Sequence, residues 1–235
     1  MIPTKNEVRL IPRLLTSLMN QDYSRMSNTS ILVADANSTD GTADAALFFR
    51  KHLDIRVIAG GIPSIGRNHG AALADTPYVL FIDADIELAD RSLIRRCLER
   101  AAAKQLHCVT TNILCREGNW IDRLFYAIND AVQYASYFHR PFATGMFMLW
   151  QRTKFWDLGG FHEQILFAED YRLSQKVDRK RFAVVRGGVY TTNRRFKRMG
   201  HLRVGLLFLK TAMNYWNEEY FLRDHKYWAE SEPRA

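Results

Sequence analysis

The apolar run Tyr78-Val79-Leu80-Phe81-Ile82 ends abruptly in Asp83-Ala84-Asp85, two carboxylates spaced one residue apart. Such a run reads as a buried strand, and in extended backbone residues i and i+2 point the same way. Asp83 and Asp85 are therefore expected to converge on one hard cation, for which carboxylate oxygens are suitable ligands. A divalent ion held there can clamp a diphosphate. An Asp-x-Asp tripeptide arises by chance in a chain this rich in Asp. Its position gives it weight, because open α/β sheets bind ligands at the carboxyl ends of their strands.

The segments before this stretch alternate between strand and helix patterns. Met1-Ile2-Pro3-Thr4 reads as the end of a very short strand. Asn6 is expected to cap a helix carrying Val8, Leu10, Ile11, Leu14, Leu15 and Leu18, with Pro12 near its first turn. Ile31 to Ala34 is a second strand, and Asp35 at its end lies in the same layer as Asp83. The turn Asp35-Ala36-Asn37-Ser38-Thr39-Asp40-Gly41-Thr42 follows, with Asp40 read as a turn and cap residue and Asp35 as a ligand contact. A helix from Thr42 to His52, a strand from Ile55 to Ile58 and a glycine-rich entry into another helix complete a parallel α/β pattern. Arg67, taken to lie near that helix's N-terminus, suits a phosphate.

After the centre, Asp90 to Lys104 reads as an amphipathic helix, Leu106 to Leu114 as a strand and Trp120 to Phe138 as an aromatic helix. An aromatic stripe at helical spacing is ordinarily core, so Trp120, Tyr126, Tyr134 and Tyr137 are given no functional role. Ala143 to Trp150 is a strand and Leu158-Gly159-Gly160-Phe161 a tight turn. Glu169-Asp170 opens a helix, which either serves its N-terminus electrostatically or supplies chemistry. Phe182 to Val185 and Val189 to Thr192 read as a strand pair, after which Arg194 to Arg198 places four positive charges in five residues, able to meet a phosphate or simply to face solvent.

Lys and Arg number 33 against 25 Asp and Glu, a net charge of +8, which favours anionic partners. Three cysteines without CxxC spacing disfavour a disulfide framework or a thiolate zinc site. No apolar stretch approaches a membrane span, and the signal-peptide pattern is absent from the first residues. These features place the chain in the cytoplasm. The mixed apolar and basic run Leu202 to Leu222 reads as an amphipathic helix that packs on the rest of the chain or lies on an anionic membrane, which would make the chain peripheral at the inner face.

Pro3-Thr4-Lys5-Asn6-Glu7, Asp35-Ala36-Asn37-Ser38-Thr39-Asp40-Gly41-Thr42, Gly66-Arg67-Asn68-His69-Gly70 and Asp83-Ala84-Asp85 together resemble, in order and spacing, the motifs of family 2 glycosyltransferases with the GT-A fold. The Gly159-Gly160-Phe161 turn followed by Glu169-Asp170 resembles the family's second signature. The resemblance implies a Rossmann-like, mainly parallel sheet flanked by helices and a nucleotide-diphospho-sugar donor. Pro3, Thr4, Glu7 and Asp35 would line the nucleoside, with Arg67 near base and ribose and Asp83 and Ala84 beside the ribose. Asp85 would hold Mn²⁺ or Mg²⁺ with Asp83 assisting, and Asp170 would be the catalytic base, giving an inverting transfer to a saccharide or lipid-linked acceptor in cell-envelope polysaccharide or glycolipid synthesis. It also implies a catalytic domain over 1–198, with a nucleotide-sugar part at 1–105 and an acceptor part at 106–198, and a helical tail at 199–235. Ala36 departs from the second acidic residue of many members, and the QxxRW motif of processive members is missing, so the nucleotide stays open.

Two other readings compete. A strand ending in Asp-x-Asp also describes haloacid-dehalogenase-type phosphohydrolases, but here that strand is not the first, Glu87 stands where Thr or Val is usual, and no later GDxxxD follows. A basic, non-enzymatic nucleic-acid-binding module would need a basic stripe with interleaved aromatics, and carboxylates at the strand ends would repel its ligand.

Overall fold

Strand β1 (Ile2–Thr4) pairs in parallel with β2 (Ile31–Asp35), which pairs in parallel with β3 (Ile55–Ala59). Between them run α1 (Ile11–Met19) and α2 (Thr42–Leu47), and α3 (Pro63–Leu73) follows β3. Helices on both faces explain why β2 is apolar without alternation: Leu32, Val33 and Ala34 are all buried. The computed structural model describes residues 1–225 and Tyr227; the rest of the expected 199–235 tail lies outside the described residues.

Strand β4 (Tyr78–Ile82) lies beside β1, because the Met1 amino group donates to the Leu80 carbonyl at 2.8 Å and the Ile82 N–H donates to the Met1 carbonyl at 3.1 Å. Beyond it come β5 (Glu87–Leu88), α4 (Leu93–Lys104), β6 (Cys108–Cys115), α5 (Trp120–Ala135), β7 (Phe147–Gln151), α6 (Arg152–Asp157), α7 (Glu169–Ser174), β8 (Phe182–Thr191), α8 (Arg194–Met199), α9 (His201–Met213) and α10 (Glu218–Leu222). β7 runs antiparallel to both β4 and β6, β8 is parallel to β6, and β5 closes the edge antiparallel to β8. With the Met1 bonds, the strand order is 3-2-1-4-7-6-8-5. The sheet is thus parallel through the first half and mixed beyond β4, with helices packed against it.

Several boundaries differ from the sequence reading for identifiable reasons. Asn6 does not cap α1: it takes φ 54° in the loop, and the helix starts only at Ile11 after a turn, with Pro12 in its first turn. α2 ends at Leu47 and continues as a 3₁₀ turn to Lys51. The expected strand pair at 182–192 is one ten-residue strand, β8. Gly187 and Gly188 look like a turn in sequence, yet they sit where the β6–β8 register shifts, three residues of β8 spanning the single residue Asn112 of β6.

That irregularity determines the polarity of α5. Ladder groups freed on β6 need partners, and α5 supplies them: the Asp130 carboxylate accepts from Ile113 N–H at 2.9 Å and from Asn112 Nδ2 at 3.0 Å, while Gln133 Nε2 donates to the Thr111 carbonyl at 3.3 Å. Polar side chains therefore face the sheet, and the aromatic residues are not uniformly core. Tyr126 and Tyr137 are partly buried, but Trp120 is 72% exposed and Tyr134 lies at the surface. Among the described residues no helix is long and apolar enough to cross a membrane. Asp130→Ala removes the partner of a buried backbone N–H, which costs about 1–3 kcal/mol; urea denaturation should show that loss, and an unchanged midpoint would contradict the account of α5.

Candidate active site

The carboxyl ends of β1, β2 and β4 open on the same side of the sheet, and the loops leaving β1 and β2 are laced together. Asn6 N–H donates to Ser38 Oγ at 2.9 Å, Thr39 N–H donates to Asn6 Oδ1 at 3.0 Å, and Glu7 N–H donates to Thr42 Oγ1 at 2.8 Å. Asp35 accepts from Thr4 Oγ1 at 3.2 Å and from Ser38 N–H at 3.0 Å. Asp40 accepts from Val8 and Thr42 N–H, as a turn residue does. Pro3, Thr4, Glu7 and Asp35 are thus gathered on one wall. Gly60 gives that wall its close approach to α3, since a Cβ there would stand 2.6 Å from the Ala34 carbonyl oxygen.

Asp83 and Asp85 are not positioned by strand alternation. The strand ends at Ile82 and the chain turns at Ala84 and Asp85, so the two carboxylates take different partners. Asp83 Oδ1 accepts from Arg67 at 2.7 Å, and Asp85 Oδ2 accepts from Arg194 at 3.1 Å. Ala84, between them, turns its methyl group into the core.

Arg67 lies in the second turn of α3, not at the helix N-terminus, and is 3% exposed. Its guanidinium bridges Asp83 and Glu169, with Asp170 also within its field. Burial opposes its charge, but the surrounding carboxylates hold it more firmly protonated than a free arginine. Gly145 packs against this guanidinium; a Cβ there would come within 2.5 Å of Nη2. Arg67 is therefore committed to carboxylates and joins the end of β4 to the start of α7.

The acidic pair opens α7 from Ala168, which takes the left-handed conformation at φ 61°, ψ 32°. That conformation is costly for a residue with a Cβ and marks functional sites. The Asp170 carboxylate accepts hydrogen bonds from the Gly145 and Tyr171 N–H groups. Burial raises the Glu169 carboxyl to about 7 despite Arg67, and burial likewise pushes Asp170 above the ordinary carboxylate range. Two adjacent carboxylates with elevated affinity for protons, one held by Arg67 and the other by backbone N–H groups, form the arrangement expected of an acid–base site. The Gly159-Gly160 turn is locked onto α3 by Asn68, which donates to the Phe161 carbonyl at 2.8 Å and accepts from Phe161 N–H at 3.0 Å.

Arg194, the first residue of α8, reaches back to Glu7 at 2.7 Å and Asp85 at 3.1 Å. Burial raises Glu7 above its usual range, with Arg194 opposing the rise. A guanidinium on Asp85 shows that this carboxylate, a quarter exposed, faces a place suited to positive charge. No cluster of three or more metal-ligating side chains occurs among the described residues. This donor set fits an ion that draws its remaining ligands from substrate phosphate and water, as Mg²⁺ sites do. Sequence reading assigned no site role to Gly145 or Asn68, for which the glycine ahead of β7 and the Asn beside Arg67 were the only signals, and it read Arg194 only as part of a basic run able to meet a phosphate or face solvent.

The chain matches the family model described as glycosyl transferase family 2 over residues 1–159. It is 30% identical over 99 residues to a poly(ribitol-phosphate) beta-glucosyltransferase of Bacillus spizizenii, covering 40% of this chain and 16% of that protein. It is 33% identical over 88 residues to the poly(ribitol-phosphate) beta-N-acetylglucosaminyltransferase TarS of Staphylococcus aureus, covering 36% and 15%. The match thus spans about a sixth of each of these relatives. Among solved structures, S. aureus TarS 1–349 in complex with UDP superposes with a TM-score of 0.64 at 20% identity, covering 82% of this chain and 59% of that one. The mannosyltransferase PcManGT of Pyrobaculum calidifontis in complex with GDP-Man and Mn²⁺ superposes with a TM-score of 0.65 at 19% identity, covering 99% and 75%. With the family model covering well over half of its 235 residues, this chain, which shares the fold of GT-A glycosyltransferases, belongs to glycosyltransferase family 2.

Proposed function

We propose that the chain transfers a glycosyl group from a nucleotide-diphospho-sugar to an acceptor hydroxyl, with inversion at the anomeric carbon. The observation that carries this reading is the Arg67 bridge, which holds the donor-side loop at Asp83 beside the α7 start that presents Asp170. Support from likeness comes from relatives solved with UDP, UDP-GlcNAc and GDP-Man.

In this reading the laced loops bind the nucleoside through Pro3, Thr4, Glu7 and Asp35, and Asp83 and the Ala84 backbone meet the ribose, with Arg67 fixing Asp83. Asp85, assisted by Asp83, would hold Mn²⁺ or Mg²⁺, which when bound neutralises the diphosphate as a Lewis acid. Asp170 takes the proton from the acceptor hydroxyl as its oxygen bonds to the anomeric carbon. The bond from that carbon to the phosphate oxygen breaks, and the nucleoside diphosphate leaves with the electron pair. Arg194 is close enough to the Asp85 carboxylate to move onto the departing phosphate. The phosphohydrolase reading loses its basis, since the family match covers this strand and Asp83 is engaged by Arg67.

The relatives named for poly(ribitol-phosphate) support an acceptor among cell-envelope polysaccharides or glycolipids. We place the reaction in the cytoplasm, with α9 as a peripheral contact at the inner face of the membrane, since Leu202, Leu206, Leu209 and Met213 are all exposed along it.

Asp170→Asn keeps the size of the side chain but cannot accept the proton, so turnover should fall by roughly 10²–10⁴ while donor affinity is retained; near-normal turnover, or a product whose anomeric configuration by NMR matches the donor's, would refute the mechanism. Because burial holds the Asp170 carboxyl protonated above the ordinary range, wild-type kcat/KM should rise with pH along a limb shifted upward from that of an exposed carboxylate, and Asp170→Asn should flatten it. Asp85→Ala should abolish the Mn²⁺-dependence of UDP or GDP binding measured by calorimetry; wild-type affinity equal in EDTA and Mn²⁺ would remove the metal from the scheme.

A further inference from the structure

Helix α5 turns Asp122, Asp130 and Gln133 inward beside the half-buried Phe125 and Tyr126, and presents a separate apolar stripe to solvent. Trp120, Leu124, Ile128 and Val132 are 72%, 48%, 53% and 49% exposed, spaced four residues apart, with exposed Ala127, Ala131 and Ala135 filling the same face. The inward face carries Asp122, Asp130 and Gln133, which the β6 irregularity and the α8–α9 junction require. Core packing therefore does not account for the outward apolar residues, and a contiguous exposed apolar surface marks a contact.

This face does not stand alone. Gly205 of α9 lies against Phe125 of α5, its ideal Cβ position 3.2 Å from the ring, and Asp122 pins the junction through Asn193 at 3.0 Å and His201 at 2.6 Å. Helical periodicity puts the exposed α5 stripe and the exposed α9 stripe on the outer surface along either side of that seam. Charge selects the occupant. Residues 194–213 contain no acidic residue; Arg194 belongs to the site and Arg195 and Arg198 turn to Tyr227, while Lys197, Arg203 and Lys210 are exposed on α8 and α9 and Arg123 is exposed at the start of α5. An apolar strip bordered by cations and bearing a tryptophan at one end suits the interface of an anionic bilayer.

We propose that α5 and α9 together form one docking face for an anionic lipid surface, with α5 inserted alongside the tail helix. This rests on the reading of α9 as a lipid contact and goes beyond it by assigning α5. The face runs to α8, whose Arg194 touches Asp85 and Glu7, so docking would present the site to acceptors held at the headgroup level.

The test is co-sedimentation of the full chain with phosphatidylglycerol-containing and pure phosphatidylcholine vesicles. Wild type should pellet with the anionic vesicles only, less so as salt rises. Leu124→Glu/Ile128→Glu should reduce partitioning about tenfold or more, and the neutral pair Leu124→Ser/Ile128→Ser should also reduce it. Ala102→Glu/Ala103→Glu, which adds the same charge on exposed α4 positions, should leave it unchanged. Circular dichroism melts check that the variants fold. If both α5 pairs bind within twofold of wild type while Leu206→Glu/Leu209→Glu does not, α5 is excluded and the α9 reading survives. Failure of wild type to pellet overturns both. A dimer in gel filtration that Leu124→Glu/Ile128→Glu converts to monomer assigns the face to a second copy and overturns the lipid proposal.

Discussion

A single buried guanidinium organises the site. Arg67 projects from the middle of α3 into a space enclosed by the end of β4, the residue before β7 and the first turn of α7, and it meets Asp83 and Glu169 there. A buried charge without partners would be prohibitive. Three carboxylates surround one cation, and burial, aided by the neighbouring negative charges and opposed by Arg67, raises the proton affinity of Glu169 and Asp170. The interaction that joins the two halves of the chain therefore also tunes the group assigned to proton transfer. Gly145 belongs to the same arrangement, because it leaves room for Arg67 while its N–H holds Asp170.

A second constraint operates at the outer edge. Arg194 stands on Asp85 and Glu7, so the carboxylate proposed to hold the metal and one proposed to line the nucleoside are already paired with a side chain from α8. In the proposed reading, donor binding would exchange one set of charge partners for another instead of creating charge in an empty cleft. Arg194 is half exposed, whereas Arg67 is enclosed and cannot move without leaving its carboxylates unpaired. Arg67 is thus a scaffold, and in the proposed reading Arg194 would be the arginine that follows the phosphate. Sequence alone treats both as basic residues near a ligand.

The β6–β8 irregularity shows how a local backbone defect propagates to a surface. Asn112 spans three residues of β8, the freed ladder groups call for polar partners, and α5 turns Asp130 and Gln133 inward to provide them. Trp120, Leu124, Ile128 and Val132 are left facing out. Reading the Trp120–Phe138 stretch as a core helix was sound for periodicity, yet periodicity measures only that a helix has two faces. Which face the protein keeps depends on the hydrogen-bonding needs of a strand whose bulge involves residues more than seventy positions further along.

Local chemistry determined the strand and helix succession, the placement of Asp35 and Asp83 at carboxyl ends of strands, and the positions of Glu169 and Asp170 at a helix start, because apolar runs, glycine turns and acidic first turns act over a few residues. The ordered motifs were enough to suggest the family. Tertiary structure alone decided that Asp83 and Asp85 take separate arginine partners, since the chain turns at Ala84 instead of continuing as a strand; that Arg67 is a buried bridge; and that Arg194 returns to Glu7 across the molecule. Each of these depends on which distant charges burial brings within hydrogen-bond reach, and that pairing is set by the packing of α3, α7 and α8 around the sheet, not by any stretch of neighbouring residues.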